Sequence, residues 1–403
     1  MPMRMSRKTS VLWKSVLAGA KRQWGRTLSK EIKARLWAEM SVYGRVGASE
    51  YLALLRDVCR EVRSHGCVVG AGRGAAVGSA VCYALGITGV DPIRHRLTFE
   101  RFMCGCRNEF PDVDLEFDRA GRELARDYLV SRFGADYVAH IMYRIPKIGS
   151  RLGLSVHPFA VAISGIPFDH QFSVLSVDGA RLDSQHKNLA LLYADRNQAE
   201  KAGVRLIDLV PQDGLTRIGR VLGQICRNGL SVPDMDNLPL NDARVLRLFH
   251  SGRTSGISGF DDVETRRALR RAAPASFGDI VVFQATEGKV DCDVDEVSRE
   301  HCEDTEGRLV FQEQLDSVIA DLAGVSFKSA ELIRRRLHRG LDCAVLADVK
   351  ERRHLEELAK RDLAMKSHAV SRAYLGYQQA YLKAHYPACW KYGSKEPKRR
   401  IAQ

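Results

Sequence analysis

Residues 110–117 read Phe-Pro-Asp-Val-Asp-Leu-Glu-Phe, and the reading of the whole chain turns on this octet. As a strand it places Val113, Leu115 and Phe117 on one face and Asp112, Asp114 and Glu116 on the other. Carboxylates two apart on one face repel each other unless a positive charge sits between them. That arrangement suits magnesium, which takes hard oxygen ligands from a few carboxylates and from substrate phosphates. The competing reading is an ordinary edge strand with a solvated acidic face.

Two neighbouring segments shift the balance. Upstream, Val68-Val-Gly-Ala-Gly-Arg-Gly-Ala-Ala-Val-Gly-Ser79 is a short apolar strand running into glycine-rich backbone with one arginine, and Ala80–Gly86 reads as a helix. A glycine-rich turn at a helix start offers backbone N–H groups to a phosphate. No Gly-Lys-Ser/Thr follows, so this is not a Walker loop. The GxGxxG spacing (Gly70, Gly72, Ala75) fails at its last position, which argues against a Rossmann dinucleotide site. Downstream, Asp208 lies within Val204-Arg-Leu-Ile-Asp-Leu-Val210. A carboxylate in an apolar strand is costly unless it is paired, hydrogen-bonded or metal-bound, or sits at a strand end facing water.

Taken together, these segments resemble the polymerase core of the C-family replicative DNA polymerases, the bacterial DNA polymerase III α subunits. Val69–Phe117 is similar to that family's palm, through its Gly-Arg-Gly turn, Tyr83-Ala-Leu-Gly-Ile-Thr-Gly-Val-Asp-Pro92, Phe99-Glu-Arg-Phe102 and the acidic strand. His157-Pro-Phe-Ala-Val-Ala-Ile-Ser164 resembles a later palm strand, and residues 202–210 resemble the strand of the third catalytic aspartate. Phe311-Gln-Glu-Gln314, Ala330–Arg335, Lys366-Ser-His368, Tyr377-Gln378 and Leu382–Pro387 look like its fingers. The resemblance runs collinearly, with gaps, from about residue 31 to 390.

It implies an α+β fold: a β-type nucleotidyltransferase palm, with a mixed sheet and helices, joined to largely helical fingers. The expected domains are a basic N-terminal arm (1–30), the palm (31–227), the fingers (228–390) and a basic C-terminal tail (391–403). The family's thumb belongs between Phe117 and His157, and region 118–156 is too short for one, so the thumb is expected to be vestigial or absent. By the resemblance, the family's N-terminal polymerase-and-histidinol-phosphatase domain and its C-terminal clamp-binding modules are expected to have no counterpart in this sequence. Ala75 stands where the family has serine, Leu206 replaces a lysine, and the Arg-Pro-Gly-Pro segment has no clear match near Thr286–Lys289.

By the same resemblance, Asp112, Asp114 and Asp208 are the catalytic metal ligands, holding two Mg2+ ions for which Mn2+ can substitute. Gly72, Arg73, Gly74, Arg101, Arg334, Arg335, Lys366 and His368 are expected to bind the nucleotide, and Glu116 to support the strand's electrostatics. The implied activity is templated extension of a DNA 3′ end with deoxynucleoside triphosphates. Partners are primer and template DNA, with an accessory protein for the missing thumb or clamp function. A template-independent tailing enzyme and a catalytically silent DNA-binding relative remain open alternatives. The short architecture suggests a plasmid, phage or defence-associated enzyme.

Composition agrees. The 403 residues carry a net charge of +13, with 45% hydrophobic and 28% charged residues, which points to a globular protein that meets polyanions. No apolar run reaches the roughly 18 residues of a membrane span. Residues 1–30 hold eight Lys or Arg and no acid, among them Trp13 and Trp24: a phosphate-gripping arm or, less in keeping with a bacterial resemblance, a transit peptide. Cys104-Gly-Cys106 is too tight for a zinc knuckle, and Cys292, His301 and Cys302 are a weak metal set. Without a signal peptide the cysteines are expected to be reduced and the protein cytoplasmic.

The periodicity predicts helices from Ser29 to His65 in two runs, and another from the Asp118 cap to Phe133, ended by Gly134. Strands are expected near 68–71, 110–117, 137–142, 159–164 and 204–210, a loop-rich connection over 165–200, and a linker over 228–241. Arginine clusters at 266–267, 270–271 and 334–336 read either as solvated helix faces or as phosphate contacts.

Overall fold

Pro111 has no N–H to give a sheet, and the acidic strand accordingly begins after it. In the computed structural model, which describes residues 6–103, 110–148, 151–175, 190–288 and 297–393, strand β1 is Asp114–Phe117 rather than the full octet. The expected alternation holds. Val113, Leu115 and Phe117 are buried, and Asp114 and Glu116 lie on the other face.

β1 is one edge of a six-stranded mixed sheet that also contains β2 (Val138–Ile148), β3 (Arg151–Ile163), β4 (Val174–Leu175), β5 (Ala190–Leu192) and β6 (Arg205–Pro211), in the order β1-β6-β3-β2-β5-β4. β1 pairs parallel to β6, whereas β6 pairs antiparallel to β3. β6 therefore has a neighbour on each side, and Leu206, Ile207, Leu209 and Val210 are all buried. Such a continuous apolar run marks an interior strand. Asp208 is its one carboxylate.

The chain divides into two compact units. One comprises Ala53–Gly70 and Asp112–Thr216 and holds the sheet; the other comprises Met1–Leu52, Ala71–Pro111 and Arg217–Gln403 and is mainly helical. This division cuts through the expected palm of 31–227, because 71–111, with its glycine turn, belongs to the helical unit.

In the sheet unit, Asp118 caps the Arg119–Phe133 helix by accepting the Gly121 N–H at 2.8 Å, and Gly134 ends it at φ 95°, as the sequence predicts. Arg122 on this helix is buried. It donates to the Leu209 carbonyl at 3.0 Å and the Pro158 carbonyl at 2.8 Å, tying the helix to β6 and β3. Residues 118–156 thus supply this helix, β2 and the start of β3.

Two expectations need correction. Residues 68–71 form no strand, only a single bridge from Val69 to Phe117, because the glycines that follow leave the ladder. The 165–200 stretch is not all loop. It contributes β4, β5 and the Arg196–Lys201 helix, while residues 176–189 lie outside the described residues. Within the basic arm, Arg7–Trp24 is a helix with Leu12, Val16 and Ala20 buried. Gly19 on that helix lies so near the Ala84 carbonyl that a Cβ would meet its oxygen at 1.8 Å.

The helical unit follows expectation elsewhere. Lys30–Arg45, in this unit, and Ser49–Ser64, which runs on into the sheet unit after Leu52, are the two expected helical runs. The fingers segment is largely helical, from Ala243–His250 through Lys366–His385 to Pro387–Gly393. Residues 394–403 of the basic tail, and Cys104, Cys106 and Cys292, lie outside the described residues. Among the described residues no helix is long and apolar enough to cross a membrane.

A candidate metal centre

The parallel register of β1 and β6 sets Asp114 directly beside Asp208. Asp112 precedes β1 on the same alternating face, exposed, with its side chain 73% accessible. One carboxylate oxygen from each of Asp112, Asp114 and Asp208 lies within 4.8 Å of the others. The residues singled out in the sequence therefore converge, with Asp208 the buried member and Asp112 the open one.

Three carboxylates this close need a counter-charge, and Arg196 supplies one. Its guanidinium lies 2.6 Å from Asp208 Oδ2 and 3.5 Å from Asp112 Oδ1. Burial works against the charge on Arg196, but Asp208 and Asp112 outweigh it and raise its pKa. Sequence reasoning missed this residue. Its signal was the Asp195-Arg-Asn-Gln198 segment, a capping box in which Asp195 and Gln198 satisfy each other's backbone and start the helix that carries Arg196.

Asp208 Oδ1 is buried and makes no hydrogen bond. An orphaned carboxylate oxygen inside a cluster of hard oxygen donors is what a divalent cation satisfies, so the donor set fits magnesium or manganese. His157 on β3 stands nearby. Burial lowers its pKa, Asp208 opposes that shift and Arg196 adds to it. Its Nδ1 accepts the Ala160 N–H at 2.9 Å and the Phe159 N–H at 3.3 Å, which assigns its proton to Nε2. Glu116 lies outside the carboxylate cluster, and its carbonyl accepts the Gly70 N–H.

In the helical unit, Gly72 (φ 89°) and Gly74 (φ 66°) flank Arg73 at the start of the tight Gly74–Gly78 turn. This turn packs against the Lys366–His385 helix. His368 on that helix has its pKa lowered, first by burial and then by Arg372 and Arg73. His368, Arg361 and Arg372 also line a cavity of about 800 Å³, a size that accommodates a nucleotide.

The remaining expected nucleotide ligands are held by acids. Arg101 donates to Glu331 at 2.7 Å and to the Gln312 side chain, Arg335 pairs with Glu331 at 2.6 Å, and Lys366 pairs with Asp304. Arg334 lies deeper. It is buried against the fully buried Asp316 at 2.6 Å, whose pKa burial pushes up to about 6. Withdrawing one partner from such a pair costs about 3–5 kcal/mol, so Arg334 braces the two helices that carry the pair.

Residues 10–151 match the family of the bacterial DNA polymerase III alpha NTPase domain, and residues 214–287 match that of the bacterial DNA polymerase III alpha subunit finger domain. Curated relatives include the DNA polymerase III subunit alpha of Halalkalibacterium halodurans, 28% identical, with 92% of this chain and 41% of that protein aligned. The protein of that name from Bacillus subtilis is 27% identical over 92% of this chain and 41% of its own length, and that from Streptococcus pyogenes is 26% identical over 88% and 43%. The chain thus spans less than half the length of these relatives. The first alignment runs over 461 positions, more than the 403 residues of this chain, so that relative carries segments inside the aligned region that this chain lacks.

Proposed function

Because the chain belongs to the C family of bacterial DNA polymerase III α subunits, we propose that it is a metal-dependent nucleotidyltransferase that extends a DNA 3′ end on a template, using deoxynucleoside triphosphates. The observation that carries this reading is the convergence of Asp112, Asp114 and Asp208, with ligand oxygens within 4.8 Å on neighbouring strands of the mixed sheet.

In this reading the three aspartates hold the Mg2+ ions. Bound there, such ions make the primer hydroxyl more acidic and stabilise the departing pyrophosphate. The rest is the chain's own work. Arg122 fixes the carbonyls beside Asp208 and His157, which holds their strands in register. His157 spends its Nδ1 on the Phe159 and Ala160 N–H groups and so offers no proton there to the cluster. Gly72 and Gly74 give the turn around Arg73 its left-handed backbone, which exposes N–H groups suited to triphosphate oxygens. Arg73, His368, Arg361 and Arg372 offer further anion contacts, and Arg101, Arg335 and Lys366 would have to exchange their present acids for phosphate.

Residues 118–156 are used up by a helix and sheet strands, and the relative's aligned region is longer, which supports a reduced thumb. The net charge of +13 supports an electrostatic hold on DNA.

The test is primer extension by the purified chain with Mg2+ and all four deoxynucleoside triphosphates, with and without a template. Template-ordered products that vanish with chelator support the proposal. Equal, sequence-independent addition without a template makes the chain a tailing enzyme, and no incorporation with either Mg2+ or Mn2+ makes it a binding protein.

A further inference from the structure

We propose that Arg196 is an exchangeable counter-ion of the carboxylate cluster, one that occupies Asp112 and Asp208 until a divalent cation replaces it and then shifts to Glu200. The inference rests on the metal reading of the site given above.

The geometry has three parts. First, the guanidinium bridges the buried and the exposed ends of the cluster, at 2.6 Å from Asp208 and 3.5 Å from Asp112. It takes the positive position that three carboxylates within 4.8 Å demand. Second, it does not saturate them: Asp208 Oδ1 stays buried with no hydrogen bond. A planar fork donates along fixed directions and leaves that oxygen unserved, whereas a cation is ligated from any side. Third, a second acid stands ready on the same helix. Glu200 Oε1 lies 3.8 Å from the guanidinium, one turn further on and half exposed. Release from the aspartates therefore leaves Arg196 paired and solvated rather than stranded, which keeps the exchange inexpensive.

The backbone supports a moving side chain on a fixed base. Arg196 follows the Asp195 cap at the first position of its helix, where the capping box holds the main chain. Its side chain is one-third exposed, so it can turn outward without opening the core. A divalent ion brings twice the charge of the guanidinium and direct oxygen ligation, so it wins once present at sufficient concentration. Without it, Arg196 keeps the aspartates together and the sheet edge intact.

Manganese binding, followed by electron paramagnetic resonance, and thermal melting test this on the full chain and on Arg196→Gln. If Arg196 competes with the ion, the glutamine variant binds Mn2+ about tenfold more tightly, the effect of removing one like charge from a partly screened site. Its melting temperature falls below that of the unaltered protein without metal, and the gap closes at saturating Mn2+, since Arg196 contacts neither aspartate in the loaded state. Arg196→Lys, whose ammonium serves one carboxylate at a time, gives the same signs at smaller size and covers a glutamine variant that does not fold. Equal or weaker Mn2+ affinity in the variants, or a melting gap that persists at saturation, overturns the exchange while leaving the metal site standing. Failure of every protein to bind Mn2+ overturns the metal site and the exchange with it.

Discussion

Asp114 and Asp208 are register partners on the parallel strands β1 and β6, although one belongs to the acidic octet and the other to an apolar stretch far along the chain. Register partners on neighbouring strands project from the same face of a sheet, so the Asp114 side chain meets that of Asp208. A one-residue slip would turn Asp208 to the opposite face. Register is therefore part of the site, and what holds register bears on function.

Arg122 is the clearest such holder. Replacing it with methionine keeps the packing volume but leaves the Leu209 and Pro158 carbonyls without their donor. The expected cost is about 2–4 kcal/mol, from two lost bonds and two buried acceptors. Urea denaturation measures this directly. A loss below about 1 kcal/mol would mean that water or another donor reaches both carbonyls.

The two glycines that flank Arg73 are expected to differ. A Cβ on Gly72 would lie 2.8 Å from Thr88 Cγ2 at a φ of 89°, whereas a Cβ on Gly74 meets nothing within 4 Å at 66°. Gly72→Ala is expected to cost about 2–3 kcal/mol, and Gly74→Ala about 1 kcal/mol from backbone strain alone. Thermal melts of the two variants, compared side by side, check the order. Equal losses would show that the Thr88 contact relaxes freely.

His95 carries a pH prediction. Burial lowers its pKa from 6.5 to about 4; Arg94 and Lys366 add to the shift, and Asp91 opposes it. The unfolded chain takes up the proton first, so stability is full above pH 6.5 and is lost as pH falls from there toward 4. The loss amounts to about 3 kcal/mol from this group. In His95→Gln that part of the slope disappears. A variant with the same stability difference from the parent at pH 7 and pH 4.5 would contradict the assignment.

Synthesis is expected to be distributive. A thumb wraps product duplex, residues 118–156 build other elements, and affinity differences of this kind appear mainly in the off-rate. With excess unlabelled DNA added as a trap at the start, products are expected to extend by only a few nucleotides. Long products from a single binding event would show that another element encloses the DNA.

Much of this architecture was legible in the sequence because its signals are local. Alternation marked β1, Asp118 and Gly134 marked the ends of one helix, and an apolar run with one carboxylate marked β6. The less legible features are those that distant partners decide. Arg334 sits in a basic run that reads as surface, and only Asp316 on the preceding helix makes it a buried strut. Arg196 carries no local mark of function beyond its capping box, and its importance comes from strands β1 and β6 arriving beside it. The basic first helix hid its apolar stripe of Leu12, Val16 and Ala20 beneath its charge.

The central claim is that the three converging aspartates carry the chemistry. Asp208→Asn and Asp114→Asn remove charge while keeping shape, so circular dichroism and DNA binding are expected to stay close to the unaltered protein. In Mg2+-dependent primer extension on a template, both variants are expected to lose at least about a hundredfold in rate, the scale on which misplaced charge stabilisation costs a transition state. Either variant retaining a rate near that of the unaltered protein would contradict the account.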